Sequence, residues 1–351
     1  MSKSPTAFFR PNIARMEGYV PGEQPRGTGY IKLNTNENPY PPSPKVIERL
    51  QAACREDIRL YPDPHAQTVR RKLADLFGVS IDQTIVGNGS DELLGIIMRT
   101  FVDPGQKVVF PHPTYSYYWQ LIQIQDGQPV AVDFPEDFSL PADLAVDDAQ
   151  VTLLVNPNAP SGTLIPVSQV EYLAARLKGI LVVDEAYVDF SAGGCIHLVE
   201  RLPHVIVVRT MSKSFSLAGM RIGFGFADPE LIAGMWKVKD HYNVNRLSLV
   251  AAEAALDDIE TMRARAARIG RTRDALTRQL RELGFWVWDS SANFVLARIN
   301  RPPAAEIYAA LKQRRILVRY FAQPRLEDCL RITVGTDREI ATLLDALRQI
   351  L

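Results

Sequence analysis

From residue 44 onward the chain alternates amphipathic stretches of helical period with short, uniformly apolar runs. PKVIERLQAACRED (44–57) and AQTVRRKLADLFG (66–78) set apolar residues three and four apart, and the glycine closing the second predicts a helix end there. Five apolar runs come next: TIVG (84–87), KVVF (107–110), VTLLV (151–155), ILVV (180–183) and VIVVR (205–209). They are short and β-branched, and helix-length segments separate most of them. That pattern predicts parallel strands buried on both faces, an α/β fold whose mostly parallel central sheet is flanked by helices.

Either side of this block the texture differs. The first 45 residues, with YVPGEQPRGTG and NTNENPYPPSP, are rich in Pro, Gly and Asn and have little periodicity, which predicts an extended N-terminal arm over 1–45. Beyond about residue 245 an Ala-, Arg- and Leu-rich stretch (247–283) predicts a long helical stretch. FWVW, ANFVLARI, a helix over 303–314, ILVRYF, CLRITVG and a terminal helix then predict a smaller α+β domain. The expected division is an arm (1–45), a large α/β domain (46–245) and a small C-terminal domain (246–351), in keeping with a length above that of most single cores.

Composition narrows the function classes. The 40 basic and 40 acidic side chains cancel, so no net field favours nucleic acid or an anionic membrane, and any anion needs a local site. Three scattered cysteines (Cys54, Cys195, Cys329) offer no zinc spacing and predict buried reduced thiols. The N-terminal residues lack the apolar core of a signal peptide, and no apolar run approaches the ~18 residues of a membrane span, so a cytoplasmic protein is expected.

The chemistry sits in the polar tail of each apolar run. In open α/β sheets ligands bind beyond the carboxyl ends of the strands, so GNGSDE, PHPTYSYY, NPNAPSG, DEAYVDF and TMSKSFS are expected to meet in one crevice. GNGSDE joins a glycine turn to a helix start with Ser90 as N-cap, a place where free backbone N–H groups attract an anion. It is neither a Walker loop nor a GxGxxG fingerprint. Asp184 ends a buried run, where a carboxylate calls for a cationic partner such as a protonated heterocycle. Lys213 is the one amine in its tail; buried near other cations, a lysine loses basicity and forms Schiff bases with carbonyls. Arg221 stands among small residues in GMRIG, where it can approach an anion together with Ser212. With a phenol at Tyr187 and an aromatic face at Tyr115, these groups match each part of pyridoxal 5'-phosphate.

The order SDE, PTY, NPNAPSG, DEAY and SKSFSLAGMRIG resembles the aspartate aminotransferase superfamily, fold type I, over nearly the whole chain. NENPYPPSP, LYPDP, HYNVN, ANFVLAR and LRITVG further resemble the histidinol-phosphate aminotransferases. The resemblance implies a homodimer that transfers the amino group of histidinol phosphate to 2-oxoglutarate, giving imidazole acetol phosphate and glutamate in histidine biosynthesis. It implies that Lys213 binds the cofactor aldehyde, Asp184 pairs with the pyridine nitrogen, Tyr187 contacts the ring oxygen and Tyr115 stacks on the ring. Ser90, Asp91, Ser212 and Arg221 would hold the phosphate, joined by Tyr61 from the partner subunit. Arg319 and Arg331 would bind substrate anions, with Asn38 on the approach to the site. The superfamily usually places Asn before the proline where this chain has Ala159, so either Asn158 substitutes or Tyr187 makes that contact alone. An aromatic amino acid aminotransferase, a threonine-phosphate decarboxylase and a cofactor-binding regulatory module share the scaffold; the last usually carries a DNA-binding extension and a basic excess, neither of which is present.

Overall fold

Thirteen strands order the chain in the computed structural model, which describes residues 4–25 and 27–351; residues 1–3 and 26 of the expected arm lie outside them. In chain order they are β1 (Ile31–Lys32), β2 (Thr84–Gly87), β3 (Lys107–His112), β4 (Gln128–Asp133), β5 (Ala149–Val155), β6 (Ile180–Asp184), β7 (Val205–Thr210), β8 (Gly223–Phe226), β9 (Trp286–Val287), β10 (Phe294–Arg298), β11 (Ile316–Leu317), β12 (Arg319–Tyr320) and β13 (Cys329–Thr333). The large sheet has seven of them in the order β2-β8-β7-β6-β5-β3-β4. Only β8 runs against the others, pairing antiparallel with both β2 and β7.

All five apolar runs are strands of this sheet, and their lack of polar alternation has a direct cause. Val109, Leu154, Val183 and Val207 enter one apolar cluster, whereas Val108, Leu153, Val182 and Ile206 enter a second on the opposite face. Two further strands escaped the sequence pattern. β4 is an edge strand with Pro129 and an exposed alternate face, and β8 reads GFGF, with glycines where β-branched residues mark its neighbours.

The second sheet, β12-β13-β10-β9, is antiparallel. One face of it, with Val295, Leu330 and Ile332, packs on the helices Ala304–Gln313 and Asp337–Ile350. Its other face gives Phe294 and Leu296 to the core of the large sheet, so the crevice between the two sheets has a fixed floor.

Three expectations need correction or refinement. The arm is not extended throughout: it forms short helices at Pro5–Phe8 and Pro11–Arg15, and β1 pairs with β11 beside the small sheet, with Leu33 in that core. The long helical stretch is divided into two helices, Arg246–Leu256 and Ile259–Glu282. The break falls at Asp257 and Asp258, poor helix formers whose carboxylates are held by Lys72 and by Ser43 and Thr261. Cys54 is exposed, because it comes directly after the last turn of helix Pro44–Ala53; Cys195 and Cys329 are buried. No helix among the described residues is long and apolar enough to cross a membrane.

Candidate active site

The strand tails do meet. Beyond the carboxyl ends of the large sheet lies a cavity of about 640 Å³, lined by Asp184, Lys213 and Arg221 on one side and by Tyr19, Arg319 and Arg331 on the other. Ser90, Tyr115, Ala159, Tyr187 and Ser212 also reach it, so each of the five tails contributes.

Asp184 and Glu185, adjacent in sequence, have opposite fates. The Glu185 carboxylate is buried and accepts from Arg209 Nε at 2.8 Å, an arginine near the end of the adjacent strand β7. Asp184 is 3% exposed and has no cation bonded to it among the described residues. It accepts from the Ala186 N–H at 3.1 Å and from the Tyr118 hydroxyl at 3.3 Å. Burial outweighs these donors and pushes its carboxyl up to about 7, with Asp91 and Glu185 acting in the same direction. A buried carboxylate so placed fits a cationic ring nitrogen of a ligand.

Lys213 has the complementary problem. Its Nζ donates to the Thr35 carbonyl at 3.3 Å and lies 5.7 Å from the centre of the Tyr187 ring. Burial, helped by Arg331, pushes its amine down to about 8, against the pull of Asp91 and Glu37. A sizeable unprotonated fraction at neutral pH is what a Schiff-base lysine requires. Asn38 Nδ2 donates to the carbonyls of Lys213 and Ser214 at 3.2 and 3.0 Å and clasps the loop that presents the amine.

The anion cup forms where helix Ser90–Phe101 begins. Gly89, at φ +90°, leaves room for Arg221, whose guanidinium would stand 2.6 Å from a Cβ there. Arg221, itself at φ 53°, donates to Asp91 at 3.2 Å and to Ser212 Oγ at 3.4 Å, and the Tyr115 hydroxyl donates to Asp91 at 3.0 Å. The Arg221–Asp91 pair is half-exposed, so an arriving phosphate can take over the guanidinium at small cost. Across the cavity, Arg331 donates from Nη2 to the Asn34 carbonyl at 3.0 Å, while its buried Nε has no partner. Arg319 stacks on Phe321. An orphaned guanidinium N–H beside a second arginine fits a substrate anion.

A buried carboxylate, a buried lysine, the Arg221–Ser212–Asp91 cluster and a separate arginine pair therefore share one cavity, and the family model of class I and II aminotransferases matches residues 28–347. The chain belongs to that family. It is 46% identical over 99% of its length to histidinol-phosphate aminotransferase 1 of Trichormus variabilis, covering 99% of that protein. It is also 46% identical to the histidinol-phosphate aminotransferase of Syntrophotalea carbinolica, covering 97% of this chain and 99% of that protein. A solved histidinol-phosphate aminotransferase from Sinorhizobium meliloti, in complex with pyridoxal-5'-phosphate, superposes with a TM-score of 0.87 at 26% identity, over 98% of this chain and 99% of that one.

Within this aminotransferase Ser90, Asn158 and Asn38 differ from their expected places. Gly89, not Ser90, is the N-cap, and the Ser90 side chain makes no capping bond. Asn158 does not face the cavity: its amide accepts from Thr114 and donates to Pro113 O and Ser161 Oγ, and it pins the loop after β5. Asn38 does not line the cavity and instead donates to the Lys213 loop. Tyr61 is exposed and stacks on Tyr242 with ring centres 4.4 Å apart. Sequence reading passed over Tyr19, Asn36 and Tyr118, whose roles depend on distant partners. Arg209 carried a legible signal, as a lone cation closing a buried run opposite the DE pair.

The two shifted groups predict a stability minimum for the aminotransferase stripped of cofactor. Asp184 takes up protons on folding between its ordinary 3.8 and about 7, so it removes stability as pH rises through that window. Lys213 releases protons on folding between about 8 and its ordinary 10.5, so it returns stability as pH rises there. Between about 7 and 8 both are buried and charged. Melting curves of the stripped protein, minus those of an Asp184→Asn, Lys213→Met double variant, are expected to dip in that interval, and cofactor addition is expected to fill the dip.

Proposed function

We propose that this aminotransferase transfers the amino group of L-histidinol phosphate to 2-oxoglutarate, giving imidazole acetol phosphate and glutamate in the biosynthesis of histidine. Its cofactor is pyridoxal 5'-phosphate, held by Lys213, Asp184, Tyr187 and the cup of Ser90, Asp91, Ser212 and Arg221. The bound cofactor supplies an electron sink for the charge left when the substrate carbon loses its proton. Asp184 keeps the pyridine nitrogen positively charged. Lys213 Nζ, with a basicity near neutrality, takes the proton from the substrate carbon and returns it as general acid. Tyr115, which lines the cavity, would cover the ring.

The observation that carries the substrate reading is the arginine pair. Arg331, with its orphaned Nε, and Arg319 are two guanidiniums set apart from the Arg221 cup, suited to a substrate that brings its own phosphate, and to the carboxylates of 2-oxoglutarate in the second half-reaction. The relatives' names point the same way. Donor profiling tests it: kcat/KM for histidinol phosphate is expected to exceed that for phenylalanine by at least about 100-fold, since an anion site left unfilled costs binding in the transition state. Equal values, or carbon dioxide release from phosphorylated threonine, would assign the site to another substrate. The protein acts as a cytoplasmic homodimer in this reading, with exposed Tyr61 reaching the partner's phosphate cup. A monomer in sedimentation analysis would refute that part.

A further inference from the structure

We infer that Asn36 is a positioning residue that aims the Tyr187 hydroxyl proton at the cofactor ring oxygen, and that Thr333 on the small sheet fixes the direction in which Asn36 donates. The inference rests on the cofactor assignment and is independent of the amino donor.

Asn36 is 2% exposed and sits in the left-handed region at φ 57°. Its backbone N–H donates to Thr333 Oγ1 at 3.0 Å, and the Thr333 hydroxyl donates back to Asn36 Oδ1 at 3.0 Å. Its carbonyl accepts from Asn293 Nδ2 at 2.9 Å. With Oδ1 engaged by a hydroxyl proton, the other end of the amide is a donor, and Nδ2 faces Tyr187 Oη at 3.0 Å. Tyr187 Oη therefore accepts on that side. No other hydrogen bond reaches this hydroxyl among the described residues, and the ring is braced edge-to-face on Phe294 at 5.0 Å. The single phenolic proton is left for the cavity that Tyr187 lines.

The neighbouring positions make this proton matter. Ala159 lines the cavity with no polar side-chain atom, and the Asn158 amide is tied to Thr114, Pro113 and Ser161. Tyr187 is left to donate to the ring oxygen without help from that loop. The charged groups around the phenol are Arg331, Lys213, Asp184 and, farther off, Asp91. The relay from Thr333 through Asn36 to Tyr187 also bridges the two sheets, so the direction of this donor depends on the small sheet being seated.

A hydrogen bond donated to the ring oxygen stabilises negative charge there and so favours loss of the proton from the nitrogen that joins Lys213 to the cofactor. The pH midpoint of the visible absorbance of the loaded enzyme, without substrate, reads this directly. Asp tolerates the left-handed region as Asn does, so Asn36→Asp keeps the backbone while replacing the donor with an acceptor that draws the Tyr187 proton away. Its midpoint is expected to rise by about one unit, a tenfold change in the proton equilibrium. In a Tyr187→Phe background the same substitution is expected to lose at least half of that rise, which separates an effect through the phenol from the bare charge of the new carboxylate. Thr333→Val is expected to raise the midpoint in the same direction and Thr333→Ser to restore it, which keeps the test open where Asn36→Asp does not fold. An Asn36→Asp midpoint equal to wild type, or a rise undiminished in the Tyr187→Phe background, would overturn the inference. A protein that develops no such absorbance would overturn it together with the cofactor assignment, whereas failure of histidinol phosphate as donor touches neither.

Discussion

Lys213→Ala is expected to lower kcat for transamination by at least about 10⁴-fold, the upper range for a positioned acid–base group. The variant keeps the phosphate cup, since Arg221, Ser212 and Asp91 bond to one another without Lys213. It loses the one cavity amine whose environment makes it a base. Burial and Arg331 together bring Lys213 to about 8, so near pH 7 it can both accept and return a proton. Lys213→Arg is expected to rescue nothing, because a guanidinium keeps its proton at every working pH. Borohydride treatment reads the loss of the Schiff base directly: the variant is expected to bind cofactor without the reducible bond that borohydride traps in the wild type. Undiminished turnover in either variant would remove Lys213 from the mechanism.

Asp184→Asn is the second large effect, and its neighbour supplies the control. Removing one partner from a buried charge pair costs about 3–5 kcal/mol, which on the transition state is roughly a 10²- to 10⁴-fold loss of kcat. Asparagine preserves the volume and can still meet Ala186 N–H and the Tyr118 hydroxyl, so the loss is one of charge rather than packing. Weaker cofactor retention on dialysis is expected alongside it. Glu185→Gln, one residue on, is expected to act on stability instead: it leaves Arg209 buried with only Asp189 at 3.7 Å as a counter-charge. A melting temperature that falls in Glu185→Gln while kcat holds, and the reverse in Asp184→Asn, is the expected pattern. A common fall in both would mean that the two carboxylates form a single structural unit.

Much of the site was legible because its parts are local. Where a buried strand ends, the polar residues of its tail cannot stay in the core, so five tails with unusual chemistry pointed to one crevice. Lys213, Asp184, Arg221 and Tyr115 could be read that way without any contact being known. Residues whose meaning depends on a partner far along the chain could not. NTNENP contains three asparagines that look equivalent as text; Asn38 reaches the carbonyls of Lys213 and Ser214, Asn36 reaches Thr333 and Tyr187, and Asn34 reaches the Glu23 carbonyl.

The sequence by itself determined the buried parallel strands, the order of the tails and the chemistry that those tails bring to the cavity, because burial on both faces and chain continuity are written locally. Only the tertiary structure decided which carboxylate is neutralised by protein and which is left for a ligand. Asp184 and Glu185 alternate across the end of β6 and its tail, and Arg209, on the adjacent strand β7, meets only Glu185 of the two. The physical reason is that a pKa depends on burial and on which charges stand within a few ångströms, and those neighbours are brought together by strand pairing rather than by proximity in the chain.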